Sequence, residues 1–199
     1  MTPLRAIYDT LVAEHAANTA GEMVTVFSDK GTRHSYIEYY EQHFEPHRAL
    51  ASILEIGVMT GGSALLWQHY FDSVNLTGVD LRVGFNAELP FQSELDTVKW
   101  HWGIDSTDPA HVPDLEQHQF VIDDGAHDEY SQMKTFQNYW QFVQPGGTYF
   151  IEDIESDAST ATIREFIKIF VKEPHTVDYY RGFAHRADDR ILAVTKEKK

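Results

Sequence analysis

The sequence predicts an α/β fold: a doubly wound, mostly parallel sheet of seven strands with a terminal antiparallel strand pair. Three observations predict it. From residue 51 onward, short apolar runs alternate with segments of helical periodicity. A glycine-bearing turn joins the first of these runs to the helix after it. Acidic residues then stand at the ends of successive runs, where such sheets bind ligands.

Taken in order, residues 3–18 read as an amphipathic helix, with Leu4, Ile7, Tyr8 and Leu11 on one face. The segment SDKGTRHSY reads as a loop leading to a helix near 35–45, where Ile37, Tyr40 and Phe44 recur at helical spacing. SILEIGV is the first strand, GGSALLWQHYF a helix and LTGVDL the second strand. TVKWHWGID and FVIDDG supply the third and fourth strands. EYSQMKTFQNYWQFV is a helix that Pro145-Gly146-Gly147 is expected to close, its aromatic stripe (Tyr130, Phe136, Tyr139, Trp140) facing the core. TYFIEDI is the fifth strand, TIREFIKIFVK a helix, and HTVDYYRG with RILAVTK the terminal antiparallel pair. The 199 residues fit one domain, with residues 1–46 as a helical cover and 47–199 as a Rossmann-like core.

Composition narrows the function. With 16 basic and 31 acidic residues the formal charge is −15, a field that repels phosphate backbones and disfavours nucleic acid. The absence of cysteine excludes disulfides, thiolate zinc sites and cysteine nucleophiles. No run approaches the roughly 20 apolar residues of a membrane span, and the N-terminus has no signal-peptide pattern. The expectation is a cytoplasmic protein without membrane partners, acting on a small molecule.

The turn Glu55-Ile-Gly57-Val-Met-Thr-Gly61-Gly62-Ser63 lets the backbone approach a ligand, and the helix behind it offers free N–H groups. Asp80 ends the second strand, where an acid can accept both hydroxyls of a ribose. Met59 stands two positions after Gly57, so the G-x-G-x-x-G pattern of a dehydrogenase is missing. Asp105 closes the third strand. Asp123 and Asp124 lie at the mouth of the fourth strand, Glu152 and Asp153 at the mouth of the fifth. Adjacent strands run about 4.8 Å apart, so these four acids converge if the strands are neighbours. Like charges so close repel, and a divalent cation with an all-oxygen shell, Mg²⁺ before zinc, resolves the conflict.

Together, E-I-G-x-x-x-G-G-S, G-V-D, I-D-D-G-x-H, P-G-G and I-E-D resemble the class I S-adenosylmethionine-dependent methyltransferases. More narrowly they resemble the metal-dependent macrocin and mycinamicin-type sugar O-methyltransferases and their cephalosporin-hydroxylase-like relatives. The upstream segment Ser28 to Tyr36 is similar to a segment of the same group, and the resemblance spans about residues 28 to 155.

The resemblance implies that Glu55, Gly57, Gly61, Ser63, Asp80, Asp105 and Asp123 contact S-adenosyl-L-methionine, with Asp105 at or beside the adenine edge. It further implies Asp124, Glu152 and Asp153 as Mg²⁺ ligands and His127 as the general base. The chemistry suits a hydroxyl acceptor, a sugar or another small polyol or diol. Coordination acidifies the hydroxyl, an imidazole takes its proton, and the oxygen attacks the sulfonium methyl. A catechol-like acceptor would chelate the metal equally well. A non-catalytic cofactor-binding module is the alternative of another class, and a homo-oligomer is a mild expectation. Asp29, Lys30, His34 and Tyr36 are candidates to line the pocket from the cover, or simply to form a capped polar loop. The segments Gly84 to Ser93 and Ser156 to Thr162 are expected to be specificity loops.

Overall fold

A computed structural model describes residues 1–17, 27–85 and 90–198. Helices α1 (Leu4–Ala17) and α2 (Ile37–Phe44) come first, followed by β1 (Ala51–Ile56), α3 (Gly62–Tyr70), β2 (Val74–Asp80) and β3 (Lys99–Trp102). The chain continues through β4 (His118–Asp123), α4 (Glu129–Tyr139), β5 (Val143–Ile151), α5 (Asp157–Phe170), β6 (His175–Arg181) and β7 (Arg190–Lys196). The seven strands form one sheet in the order β3-β2-β1-β4-β5-β7-β6. The first five are parallel to one another, and β7 runs antiparallel to both β5 and β6. The expected sheet, terminal antiparallel pair included, is the one observed.

Both faces of the sheet are buried because its inner strands are apolar at consecutive positions, the pattern expected where helices cover a parallel sheet on both sides. Side chains alternate between the faces. Ile53, Phe120, Ile122 and Phe150 join α1, α2 and α3 in one core, around Trp67, Tyr40 and Phe44. Leu54, Val121, Tyr149 and Ile151 join α4 and α5 in the other, around Phe136, Ile163 and Ile167. This parity decides where the acids at the strand ends point.

Helix starts follow local chemistry. Asp128 caps α4 through Ser131 N, and Ser156 caps α5 through Ser159 N, each side chain accepting an otherwise unpaired amide. Ser156 to Thr162 is therefore a cap and the first turns of α5, not a loop. Pro145-Gly146-Gly147 does not close α4. It lies inside β5, where the β4–β5 register shifts and Gly146 takes φ 82°, so those residues shape a strand irregularity. Tyr130 leaves the expected aromatic stripe and is exposed, whereas Phe136, Tyr139 and Trp140 are buried. Of Gly84 to Ser93, residues 86–89 lie outside the described residues, and a 3₁₀ turn spans Pro90–Leu95.

Candidate active site

At the carboxyl ends of the parallel strands lies a cavity of about 440 Å³. That is within the range of small-molecule sites. Gly57 to Thr60 with Gly62 and Ser63 form one wall, after β1. Asp80 to Arg82 follow β2, Ile104 to Thr107 follow β3, and Asp124 to His127 follow β4. Phe27 to Lys30 close it from the cover, and Asp153 stands at one end.

The β1–α3 turn is tied down from within. The Asp80 carboxylate accepts from Val58 N at 2.8 Å and Met59 N at 3.3 Å through Oδ2, and from Arg82 N at 2.8 Å through Oδ1. Met59 and Gly61 both adopt positive φ there, and Gly57 does so at 87°. Gly57 is required for a second reason: a Cβ at this position would lie 2.0 Å from the Asp124 carbonyl oxygen. The turn after β1 and the loop after β4 thus touch backbone to backbone, which fixes the β1–α3 turn against the acidic mouth.

Of the residues expected at the cofactor, Gly57, Ser63, Asp80 and Asp105 line the cavity. Glu55, Gly61 and Asp123 are not in its wall. The two acids are buried within the sheet, one on each face. Glu55 shares the face of Ile53, towards the cover, where it is buried and burial pushes it up to about 7. Asp123 shares the face of Val121, where Tyr149 Oη donates to it at 3.2 Å. Burial likewise pushes Asp123 up to about 7. Asp105 is occupied locally, accepting from Thr107 N at 2.9 Å and Thr107 Oγ1 at 2.7 Å.

Asp124, His127 and Asp153 do converge, with one potential ligand atom from each lying within 4.8 Å of the others. His127 Nε2 is 3.4 Å from Asp124 Oδ1, and Nδ1 is 3.7 Å from Asp153 Oδ2. The hydrogen bond to Asp124, reinforced by the charge of Asp153, lifts the imidazole to about 9. Asp153 sits at φ 55°, uncommon for a residue with a side chain. Tyr36 Oη donates to its Oδ1 at 2.7 Å, and His34 Nδ1 is 3.3 Å from that same oxygen. Burial, then the nearby Asp124, pushes Asp153 up to about 6. Two carboxylates beside an imidazole, one of them also held by a lysine and the other by a tyrosine, are a donor set that fits a divalent cation.

Glu152 stands outside this converging group, on its cover side. It shares the parity of Phe150, facing the cover, and is almost fully buried. Lys30 Nζ donates to both its oxygens at 2.8 Å, and Tyr40 Oη donates to Oε1. The same ammonium lies 2.6 Å from Asp124 Oδ2 and 3.8 Å from Glu55 Oε1. Burial opposes the charge on Lys30, but Asp124, Glu152 and Glu55 together hold its pKa well above the ordinary lysine value. Lys30 and Tyr40 are the functional-site residues that the sequence reading did not single out in this role. Their partners lie about a hundred residues away, so no local spacing signals them.

The chain is similar to secondary-metabolite O-methyltransferases of actinomycetes. It is 32% identical over 174 residues to the 8-demethyl-8-alpha-L-rhamnosyl tetracenomycin-C 2'-O-methyltransferase of Streptomyces olivaceus, covering 76% of this chain and 44% of that protein. It is 30% identical over 136 residues to the demethylmacrocin O-methyltransferase of Streptomyces fradiae, covering 62% of this chain and 33% of that one. Among solved structures, the MycE methyltransferase of the mycinamycin biosynthetic pathway, in complex with Mg, SAH and mycinamycin VI, superposes with a TM-score of 0.67. That likeness is at 20% identity and covers all of this chain and 55% of MycE. The fold is that of the class I methyltransferases. The chain spans less than half the length of the curated relatives it matches, and no family model matches it. The MycE likeness, at its low identity, speaks to fold alone.

Proposed function

We propose that this chain is an S-adenosylmethionine-dependent, Mg²⁺-dependent O-methyltransferase for a hydroxyl of a sugar or another small polyol or diol. The observation that carries the reading is one continuous cavity. It runs from Asp80 and Asp105 at the ends of β2 and β3 to the Asp124–His127–Asp153 group at the ends of β4 and β5. The relatives' named activities, a rhamnosyl tetracenomycin 2'-O-methyltransferase among them, support a sugar acceptor.

In this reading the β1–α3 turn and Asp80 hold the nucleoside end of the cofactor, with Asp105 near the base. Asp124 and Asp153 hold Mg²⁺ at the far end, and Glu152 is a third candidate ligand beside Lys30. The metal, when bound, acidifies an acceptor hydroxyl and orients it. His127 is the general base. An imidazole held near 9 by two anions is protonated at neutral pH. Once Asp124 and Asp153 are engaged by a cation, His127 loses that anionic support and its pKa falls towards the range a base needs. Tyr36 and His34 fix Asp153 from behind.

The test is methyl transfer from isotopically labelled S-adenosylmethionine to simple rhamnosides and other sugar diols, in Mg²⁺ and in EDTA. Labelled sugar formed only with the divalent ion is expected. Cofactor binding with no transfer to any hydroxyl acceptor would favour a non-catalytic module. Transfer to catechols but not sugars would move the acceptor class.

A further inference from the structure

Lys30 is a buried cation to which the reaction above gives no task. Its side chain is 1% exposed, and it enters the sheet end from the cover loop 28–36. The Asp29 carbonyl accepts from the amides of Thr32, Arg33 and His34, and the Lys30 carbonyl accepts from Tyr36 N. The ammonium therefore sits on a stiff turn, aimed at three acids from three strands: Glu55 within β1, Asp124 after β4 and Glu152 after β5. Both Glu152 oxygens accept from it, and one also accepts from Tyr40. Asp124 is split, with Oδ2 on Lys30 and Oδ1 towards His127.

We propose that Lys30 is an internal counter-cation that competes with the divalent metal for the carboxylates of Asp124 and Glu152, and thereby sets how tightly the metal binds. The inference rests on the metal reading of the same mouth. Its basis is geometric: an ammonium within 2.6–2.8 Å of these oxygens occupies lone pairs that a cation would use. A fixed positive charge so close also opposes the entry of a second one. Conversely, a chain lacking the ammonium leaves the buried Glu55 and Glu152, and Asp124 at the cavity wall, without their partner, which destabilises the fold until another cation arrives.

The experiment is Lys30→Met, which keeps the stem and removes the charge. Mg²⁺ is titrated calorimetrically into variant and wild type, and melting is followed with and without Mg²⁺. The variant is expected to bind Mg²⁺ at least tenfold more tightly. Its metal-free melting temperature should fall, and saturating Mg²⁺ should recover more of it than wild type gains. A variant that folds only with Mg²⁺ present supports the proposal equally. Unchanged or weaker Mg²⁺ binding, or a variant that Mg²⁺ cannot fold, overturns it. Arg181→Met is the control for the general field. Arg181 is a more exposed cation, paired with Asp157, and its loss should change Mg²⁺ affinity less than threefold. Equal tightening in both variants also overturns the proposal. Failure of the methyltransferase reading is distinguishable, because it appears as absent S-adenosylhomocysteine binding in the wild type.

Discussion

Two glycines with nearly the same backbone conformation separate conformational strain from close approach. Gly57 has φ 87° and Gly84 φ 90°. A left-handed conformation costs an alanine about 1–2 kcal/mol, so this contribution is shared. At Gly84 a Cβ meets no atom of the described residues within 4 Å, so among them the strain is the whole cost. At Gly57 the Cβ would stand 2.0 Å from the Asp124 carbonyl oxygen and 2.9 Å from Gly125 N, both backbone atoms with no side chain to swing aside. The β4 loop has to shift, adding about 1–3 kcal/mol of overpacking. Gly57→Ala should therefore cost about 2–5 kcal/mol in urea unfolding, against about 1–2 for Gly84→Ala. The functional consequence follows from the same contact. Moving Asp124 displaces the acidic mouth relative to the cofactor turn, so S-adenosylhomocysteine and Mg²⁺ binding should each weaken at least tenfold in Gly57→Ala. Gly84→Ala should stay within threefold of wild type in both. Equal losses of stability and binding in the two variants would refute the close-approach argument.

Further consequences concern the charged groups. Asp123, pushed from 3.8 to about 7 by burial, binds its proton more tightly folded than unfolded. Its contribution is favourable below about pH 4 and is lost as the pH rises through 7, by at most about 4 kcal/mol. Asp123→Asn should accordingly melt higher than wild type at pH 8 and show little gain at pH 4. His127→Ala should bind S-adenosylhomocysteine within threefold of wild type and lose at least a hundredfold in kcat; near-native turnover would remove His127 from the base role. In the metal-free chain, NMR should place the His127 titration near pH 9, and saturating Mg²⁺ should lower it; an unmoved titration would contradict metal capture by its two aspartate neighbours. Asp80→Ala releases the amides of Val58, Met59 and Arg82 and should weaken S-adenosylhomocysteine at least tenfold, by calorimetry.

The alternation of apolar runs and helical segments made the sheet legible because both faces of its strands are buried. What it left open was which face each strand-end acid takes. A single step along a strand reverses the side chain, so Glu152 and Asp153, adjacent in sequence, part company: one to Lys30 and Tyr40, the other to the cavity. Glu55 and Asp123 are buried within the sheet, one on each face. The Pro145-Gly146-Gly147 signal reads equally as a helix stop or a strand irregularity, and only the register between β4 and β5 decides it. Lys30 was legible as a candidate to line the pocket from the cover, but not as the partner of carboxylates 94 and 122 residues further along.

The measurement closest to the central claim is calorimetric titration with S-adenosylmethionine, with and without Mg²⁺, on wild type and Asp124→Ala. The account predicts cofactor binding in both chains and separate Mg²⁺ uptake that the substitution abolishes. Cofactor binding with metal uptake unaffected by Asp124→Ala would contradict the assigned metal mouth, and no cofactor binding at all would contradict the proposed function.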